Sequence, residues 1–317
     1  MRFGLFGTGP WAHQAHAPAL ARHAEVEFVG VWGRNPDKAA ELAGLHGVEP
    51  YAEIDALIDA VDAVAIALPP DVQAPLTLRA ARAGKHLLLD KPIAFTNEEA
   101  AELVGAVDER GLASVVFFTR RLMPEIGEFL ATAVRTGGWV EGRVDHVATI
   151  FVPDNPFGAS PWRQESGGLW DVGPHAIALV LPVLGPVTEV AAMAGPRDMT
   201  HVLLRHAGGA ISTLTLSVDA PPAAEREEAM FAGEAGVLNA PATPWQPVDA
   251  LGRAIDELIA AAGGGRRSEP DARFGASGAD VPFGASELDV RFGAEVTAIL
   301  VAAQEAVTTG RSVPLNR

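Results

Sequence analysis

Residues 2–12, RFGLFGTGPWA, run from an apolar stretch into a glycine-rich turn, and this transition decides the fold of the N-terminal part. Gly7, Gly9 and Ala12 have the G-x-G-x-x-A spacing that joins a strand to a helix in dinucleotide-binding turns. Gly7 would permit the bend, Gly9 would let the backbone approach a pyrophosphate, and Ala12 would keep the helix close to the strand. An ordinary glycine-rich turn is the alternative. We predict cofactor contacts from Gly7, Gly9, Pro10, Trp11 and Ala12.

Residues 1–120 alternate short apolar runs with helical patterns, which predicts right-handed crossovers and a mostly parallel sheet. The apolar runs are RFGLFG, VEFVGVW, AVAIALP, HLLLD and ASVVFF. Asn35-Pro36 and Thr96–Glu99 supply the capping signals of two of the helices between them. The pattern therefore predicts an α/β N-terminal Rossmann domain over 1–120.

After Arg121 the pattern changes to longer strands with few helices between them. Four strands are predicted, at Val140–Phe151, Val187–Met193, His201–His206 and Ala210–Val218. In the last of these, Leu214, Leu216 and Val218 share one face, and threonine and serine side chains share the other. We predict an α+β domain over 121–317 with an open, mainly antiparallel sheet that binds substrate and forms a homodimer or homotetramer. A final helix, Ala294–Thr308, is predicted to pack back on the first domain.

Composition restricts the class of protein. The chain has 317 residues, a formal net charge of −16 and no cysteine. The charge disfavours nucleic acid, and the lack of cysteine excludes disulfides, thiolate catalysis and cysteine-ligated metals. The longest apolar stretch, Ala176–Val187, is short and contains Pro182, so no membrane partner is expected. We predict a cytoplasmic protein, and the histidines suggest no metal site.

The end of the second apolar run indicates which dinucleotide is bound. An acid that would bind a ribose 2′-hydroxyl is missing, and the chain reads Gly33-Arg34-Asn35. Gly33 leaves room, and Arg34 is a planar cation suited to a 2′-phosphate. NADP is therefore preferred, with NAD possible, although Arg34 as a solvated loop residue is the alternative. Leu68 and Pro69 end the third run and are predicted to line the same crevice.

Asp90-Lys91-Pro92 follows the run HLLLD, at the strand end where open α/β sheets bind ligands. Lys91 is therefore predicted to face the cofactor crevice, with Asp90 beside it. Pro92 restricts the backbone, in a cis or a trans bond. A lysine at an ordinary strand exit is the alternative reading.

Residues 165–180, ESGGLWDVGPHAIALV, contain a second group of candidates. Pro174 suits the first position of a helix, which places Asp171 before that helix and His175 in its opening turn. A histidine there could act as a general base, and a nearby aspartate could select its tautomer. A buried structural histidine is the alternative. Candidate substrate contacts are Arg120, Trp162 and Arg163, with surface arginines as the alternative.

GTGPWA, DKP and GGLWDVGPH together resemble the Gfo/Idh/MocA oxidoreductases, and the resemblance covers nearly the whole chain. It implies hydride transfer between a nicotinamide and a sugar, polyol or related small hydroxy or keto compound. It also implies that Lys91, Asp171 and His175 are the catalytic set. The chain departs from the family pattern at Asp90, where glutamate is usual, and at Gln73, where histidine is frequent.

Two other functions share this fold. One is a glycosidase that oxidises its substrate transiently with bound NAD, and the other is a non-catalytic NADP-binding sensor. Retention of Lys91, Asp171 and His175 argues against the sensor. A nine-residue repeat over 273–299, RFGASGADV, PFGASELDV and RFGAEVTAI, is interpreted as a local duplication.

Overall fold

A computed structural model of the chain describes residues 1–264 and 287–315. They form two units. The first contains Met1–Leu122 and, among the described residues, 245–264 and 287–294. The second contains 123–244 and 295–315. The first copy of the nine-residue repeat and half of the second lie outside the described residues, whereas the third begins inside the last helix.

The first unit contains a six-stranded sheet in which every pair of neighbouring strands is parallel. The strand order is β3-β2-β1-β4-β5-β6, which is the order of the doubly wound Rossmann sheet. This confirms the parallel sheet predicted from the alternation of apolar runs. The strands are β1 (Arg2–Phe6), β2 (Glu27–Trp32), β3 (Glu49–Tyr51), β4 (Ala63–Ile66), β5 (His86–Asp90) and β6 (Ser114–Phe117).

Two helices of the first unit, those that follow Asn35 and Thr96, begin at the capping residues that the sequence indicates. Asn35 Oδ1 accepts hydrogen bonds from the backbone N–H groups of Asp37 and Lys38, and Thr96 Oγ1 accepts one from Glu99. The helices are α1 (Ala17–Arg22), α2 (Pro36–His46), α3 (Ile54–Ala60), α4 (Pro70–Arg82), α5 (Asn97–Arg110) and, much later in the chain, α9 (Pro247–Ala262).

Helix α9 belongs to the first unit, although the sequence assigned all of 121–317 to the second domain. Its apolar face is buried, including Leu251, Ile255 and Leu258, and it contacts α1, β5 and β6. An amphipathic helix packs where its apolar face can be buried, and the surface that buries it depends on the path of the whole chain.

The second unit contains a seven-stranded mixed sheet, ordered β12-β11-β7-β10-β9-β8-β13. All neighbouring pairs are antiparallel except β7 and β10, which run parallel. The mainly antiparallel sheet is thus confirmed. The strands are β7 (Trp139–Val147), β8 (Val187–Ala194), β9 (Thr200–His206), β10 (Ile211–Ser217), β11 (Arg226–Gly233), β12 (Gly236–Asn239) and β13 (Val313–Pro314).

Helices in the described part of the second unit pack on one face of this sheet. Leu214 and Leu216 of β10 are buried on the covered face, as their alternation predicts. The opposite face, called here the outer face, presents Leu203, which is 50% exposed, and Asp145 between two arginines. The helices of this unit are α6 (Pro124–Thr136), α7 (Pro161–Asp171) and α8 (Gly173–Leu184). The final helix, α10 (Val290–Thr309), begins in the first unit and continues in the second.

The combined run of α7 and α8, Pro161–Leu184, is long and apolar enough to cross a membrane by length and composition alone. Its apolar window is longer than the stretch weighed in the sequence because the helix starts earlier. However, 83% of that window is buried inside the protein, as in the core helix of a globular fold.

Candidate active site

The turn after β1 contains two glycines, Gly7 and Gly9, whose surroundings differ. Gly7 has φ +130°, and a Cβ there would lie 2.3 Å from the carbonyl oxygen of Ala67. Gly7 is therefore required by the fold itself. At Gly9 a Cβ would meet no atom of the described chain within 4 Å. Packing within the described chain therefore does not explain the glycine at position 9.

A π-helical turn, Ala12–His16, follows the glycines and carries Trp11 at its start. The indole of Trp11 stacks on Phe117 and on Trp245, with ring centroids 6.2 Å apart in both cases. The guanidinium carbon of Arg120 lies 4.9 Å from the centroid of the Trp245 ring. Because Phe117 pairs with Asp90 across β5 and β6, this aromatic stack lies near the strand end that carries Lys91.

The end of β2 brings Gly33 against the glycine turn that follows β1. A Cβ on Gly33 would lie 2.6 Å from Thr8 Cγ2, so a larger residue there would displace the Thr8 side chain. Arg34 is exposed, and Asn35 caps α2. Leu68 and Pro69 are half-buried between β4 and α4.

Lys91 follows β5, and the backbone on both sides of it is held by Gln73. The Gln73 side chain is fully buried; its Nε2 donates to the carbonyl oxygens of Asp90 (2.8 Å) and Pro92 (3.0 Å). Its Oε1 accepts from the Asp90 N–H at 2.9 Å. The Lys91–Pro92 peptide bond is cis. The carboxylate of Asp90 accepts a hydrogen bond from the Lys91 N–H at 2.8 Å.

His175 lies in the opening turn of α8, in the second unit, with Pro174 at the helix start. The residue is buried, and its ring lies 5.8 Å from the ring of His146 on β7. His146 shares the helix-covered face of β7 with Val144. The two imidazoles therefore form one polar cluster between β7 and α8.

Asp171 ends α7 and is also buried. Arg163 Nε donates to Asp171 Oδ2 at 2.7 Å. The Arg163 guanidinium carbon lies 4.6 Å from the centroid of the Trp162 ring and 5.2 Å from that of Phe157. The structure thus brings three predicted residues, Trp162, Arg163 and Asp171, into one cluster.

The predicted residues divide between the two units. Lys91, Arg120 and the phosphate-binding turn lie in the first, and Asp171 and His175 lie in the second.

Sequence reasoning missed three residues that contact the predicted ones: Gln73, His146 and Trp245. The position of Gln73 was noted only as a departure from the family pattern, and its pairing with the backbone at 90–92 had no local signal. His146 could have been found from the alternation of β7. In the described part of the chain, no three His, Asp or Glu side chains form a group that could hold a metal ion.

Two family models match the chain. Residues 1–118 match "Oxidoreductase family, NAD-binding Rossmann fold", and residues 140–239 match "GFO/IDH/MocA C-terminal domain". Fold and site define an NAD(P)-binding oxidoreductase with a Rossmann unit and a mixed-sheet unit. The chain belongs to the Gfo/Idh/MocA family of these enzymes.

Relatives within this family act on sugars and cyclic polyols, to judge from their names. The chain is 29% identical over 250 residues, 75% of each chain, to dTDP-3,4-didehydro-2,6-dideoxy-alpha-D-glucose 3-reductase of Streptomyces antibioticus. It is 31% identical over 226 residues, 66% of each chain, to inositol 2-dehydrogenase of Rhizobium meliloti (strain 1021). The structure of levoglucosan dehydrogenase in complex with NADH and levoglucosan has a TM-score of 0.81 at 20% identity, covering 100% of both chains.

Proposed function

We propose that the chain catalyses reversible hydride transfer between a nicotinamide and the carbinol or carbonyl carbon of a sugar, polyol or related compound. The main support is Lys91, whose backbone is held by Gln73 at the carboxyl end of β5 in a Rossmann-ordered sheet. The names of the relatives support the substrate class.

We assign the chemistry to Lys91, Asp171 and His175, acting on one substrate oxygen. A nicotinamide held by the first unit would supply the acceptor for the hydride of the carbinol carbon, and its reduced form the donor for the carbonyl carbon. In oxidation, His175 takes the hydroxyl proton as the C–H bond breaks and the C=O bond forms. Lys91 donates a hydrogen bond to the same oxygen and stabilises its developing negative charge. Asp171 orients these groups.

The first experiment separates cofactor binding from folding. Gly9→Ala should leave the free energy of unfolding within about 0.5 kcal/mol of wild type, since the new methyl meets no protein atom. It should also weaken cofactor binding at least about tenfold, because the methyl occupies the approach of the phosphate. Quenching of tryptophan fluorescence by the reduced cofactor measures this affinity. Unchanged affinity would remove the turn from the cofactor site.

The second experiment tests the reaction. A panel of sugars, polyols and keto-sugars is offered with NAD and NADP, and the absorbance of the reduced nicotinamide is followed. Lys91→Ala should lower kcat at least about a hundredfold, the loss expected for a charged group that stabilises a developing alkoxide. The exposed Lys38→Ala should keep wild-type turnover. Sugar release without net change in absorbance would indicate the glycosidase instead.

We propose that NADP is the preferred cofactor and that Arg34 provides the preference. The support is the exposed Arg34 at the end of β2, beside Gly33, in a loop without an acidic residue. Arg34→Ala should raise the KM for NADP about tenfold or more while changing that for NAD little, since one charge-assisted hydrogen bond contributes about 1.5–3 kcal/mol. Equal effects on both cofactors would contradict the role of Arg34.

We also propose a cytoplasmic homodimer or homotetramer assembled through the outer face of the second unit. The support is that the described helices of this unit pack on the opposite face, together with the exposed apolar side chains of the outer face, Met193 at 75% and Leu203 at 50%. Sedimentation of the wild type should give a dimer or larger. Leu203→Glu should give a monomer, and an unchanged assembly would exclude this face.

A further inference from the structure

Arg163 and Asp171 form an ion pair that the fold brings together across a break in α7. The Nε–Oδ2 distance is 2.7 Å, and the two side chains are only 19% and 10% exposed. Separated by eight residues in a straight helix, they would lie about 12 Å apart along the axis. In a continuous helix the two side chains would have to span that separation to form the ion pair.

The break lies at Gly167, whose φ of 62° and ψ of −164° are not helical. The following N–H, of Gly168, donates to the carboxylate of Asp198 at 2.8 Å. A Cβ on Gly168 would lie 2.6 Å from the Cα of Ser217, so the chain after the break rests directly on β10. Gly167 thus allows the change of direction, and Gly168 allows the close packing on β10.

The position of the Arg163 cation is set by more than its ion pair. Its guanidinium lies against two aromatic rings, Trp162 and Phe157, at cation–π distances. A planar guanidinium held by stacking offers its Nε–H in one direction, which a flexible ammonium would not. Asp171 is therefore held by a cation whose own orientation is restricted.

We infer that Arg163 is a positioning residue that fixes the direction of the Asp171 carboxylate. Asp171 needs that direction in order to align the groups that act on the substrate oxygen. This inference rests on the proposed function, in which Asp171 belongs to the catalytic set. It differs from the expectation that Arg163 contacts substrate. A contact with substrate would affect the substrate KM, whereas positioning of Asp171 affects kcat.

The test compares Arg163→Gln, Asp171→Asn and the double variant with wild type. Arg163→Gln should lower kcat roughly ten- to a hundredfold, the effect of one charge-assisted hydrogen bond, with the substrate KM within about twofold. The double variant should be no slower than Asp171→Asn alone, because Arg163 acts only through Asp171. Guanidinium ion should restore part of the activity of Arg163→Ala. Arg135→Gln, an exposed arginine of α6, is the matched control and should keep wild-type kcat.

A second measurement does not require turnover. In urea unfolding, the two substitutions should be coupled by at least about a tenfold change in the unfolding constant, since either single substitution already removes the ion pair between these largely buried side chains. Additive effects on unfolding, a raised KM at unchanged kcat, or multiplied losses of kcat in the double variant would each overturn the inference. A wild type that oxidises or reduces nothing in the panel would overturn the proposed function and this role with it. An active wild type with an equally active Arg163→Gln would overturn this role alone.

Discussion

His16 makes the stability of the first unit depend on pH. The residue ends the π-helical turn that follows the phosphate-binding glycines, and it is completely buried. Its ring lies edge-on against Trp11 and Phe117. Burial lowers the pKa of His16 from 6.5 to about 4, and the backbone of Trp11 opposes this only in part. The native state therefore holds His16 neutral across most of the acidic range.

The size of the effect follows from this pKa. Between pH 6.5 and 4 the unfolded chain binds a proton at His16 and the folded chain does not. Above pH 6.5 His16 is neutral in both states and its ionisation does not affect stability. As the pH falls from 6.5 towards 4, protonation favours the unfolded state and the folded state loses stability. A difference of about 2.5 pKa units corresponds to about 3 kcal/mol.

Urea unfolding of wild type and His16→Leu at a series of pH values tests this reasoning. Leucine has a similar volume and cannot be protonated, so the variant should lose about 3 kcal/mol less than wild type between pH 7 and pH 4. Gln14→Leu, an exposed position in the same π-helical turn, retains His16 and should keep the wild-type slope. The reasoning is refuted if wild type and His16→Leu lose stability in parallel.

Three further substitutions test other contacts. Gln73→Leu should cost about 2–4 kcal/mol of unfolding free energy by removing three hydrogen bonds to the backbone of Asp90 and Pro92. Gln14→Leu, at an exposed position, should cost under about 0.5 kcal/mol, and equal losses in urea would contradict this. Burial raises the pKa of Asp145, but hydrogen bonds from two arginines and a threonine outweigh it, so the pKa lies below 3.8. Asp145→Asn should therefore lower the unfolding free energy by about 1.5–3 kcal/mol at pH 7, and the variant should lose less stability than wild type below about pH 4. Urea unfolding at both pH values checks this, and an equal loss of stability in acid by wild type and variant would contradict it. Gly168→Ala should cost about 1–3 kcal/mol in thermal unfolding because its methyl would overlap the backbone of Ser217, and an unchanged melting temperature would show that the strand yields.

Features that depend on a few neighbouring residues were predictable from the sequence. The glycine turn after β1, the caps at Asn35 and Thr96 and the two faces of β10 each depend on local spacing and on the period of the backbone. The candidate residues could be named because Lys91 and His175 stand beside Pro92 and Pro174, and Asp171 lies two residues before Gly173, all of which mark element boundaries. Their positions at the ends of β5 and α7 and at the start of α8 follow from those boundaries.

Contacts between distant parts of the chain were decided only by the tertiary structure. Trp245 stacks on Trp11, and Gln73 of helix α4 hydrogen-bonds to the backbone on both sides of Lys91. Asp171 pairs with Arg163 across the break in α7 at Gly167. The parallel pairing of β7 with β10 has no signature in either strand. Local periodicity specifies which face of an element is apolar, but not which distant segment covers it, since that choice depends on the packing of the whole unit.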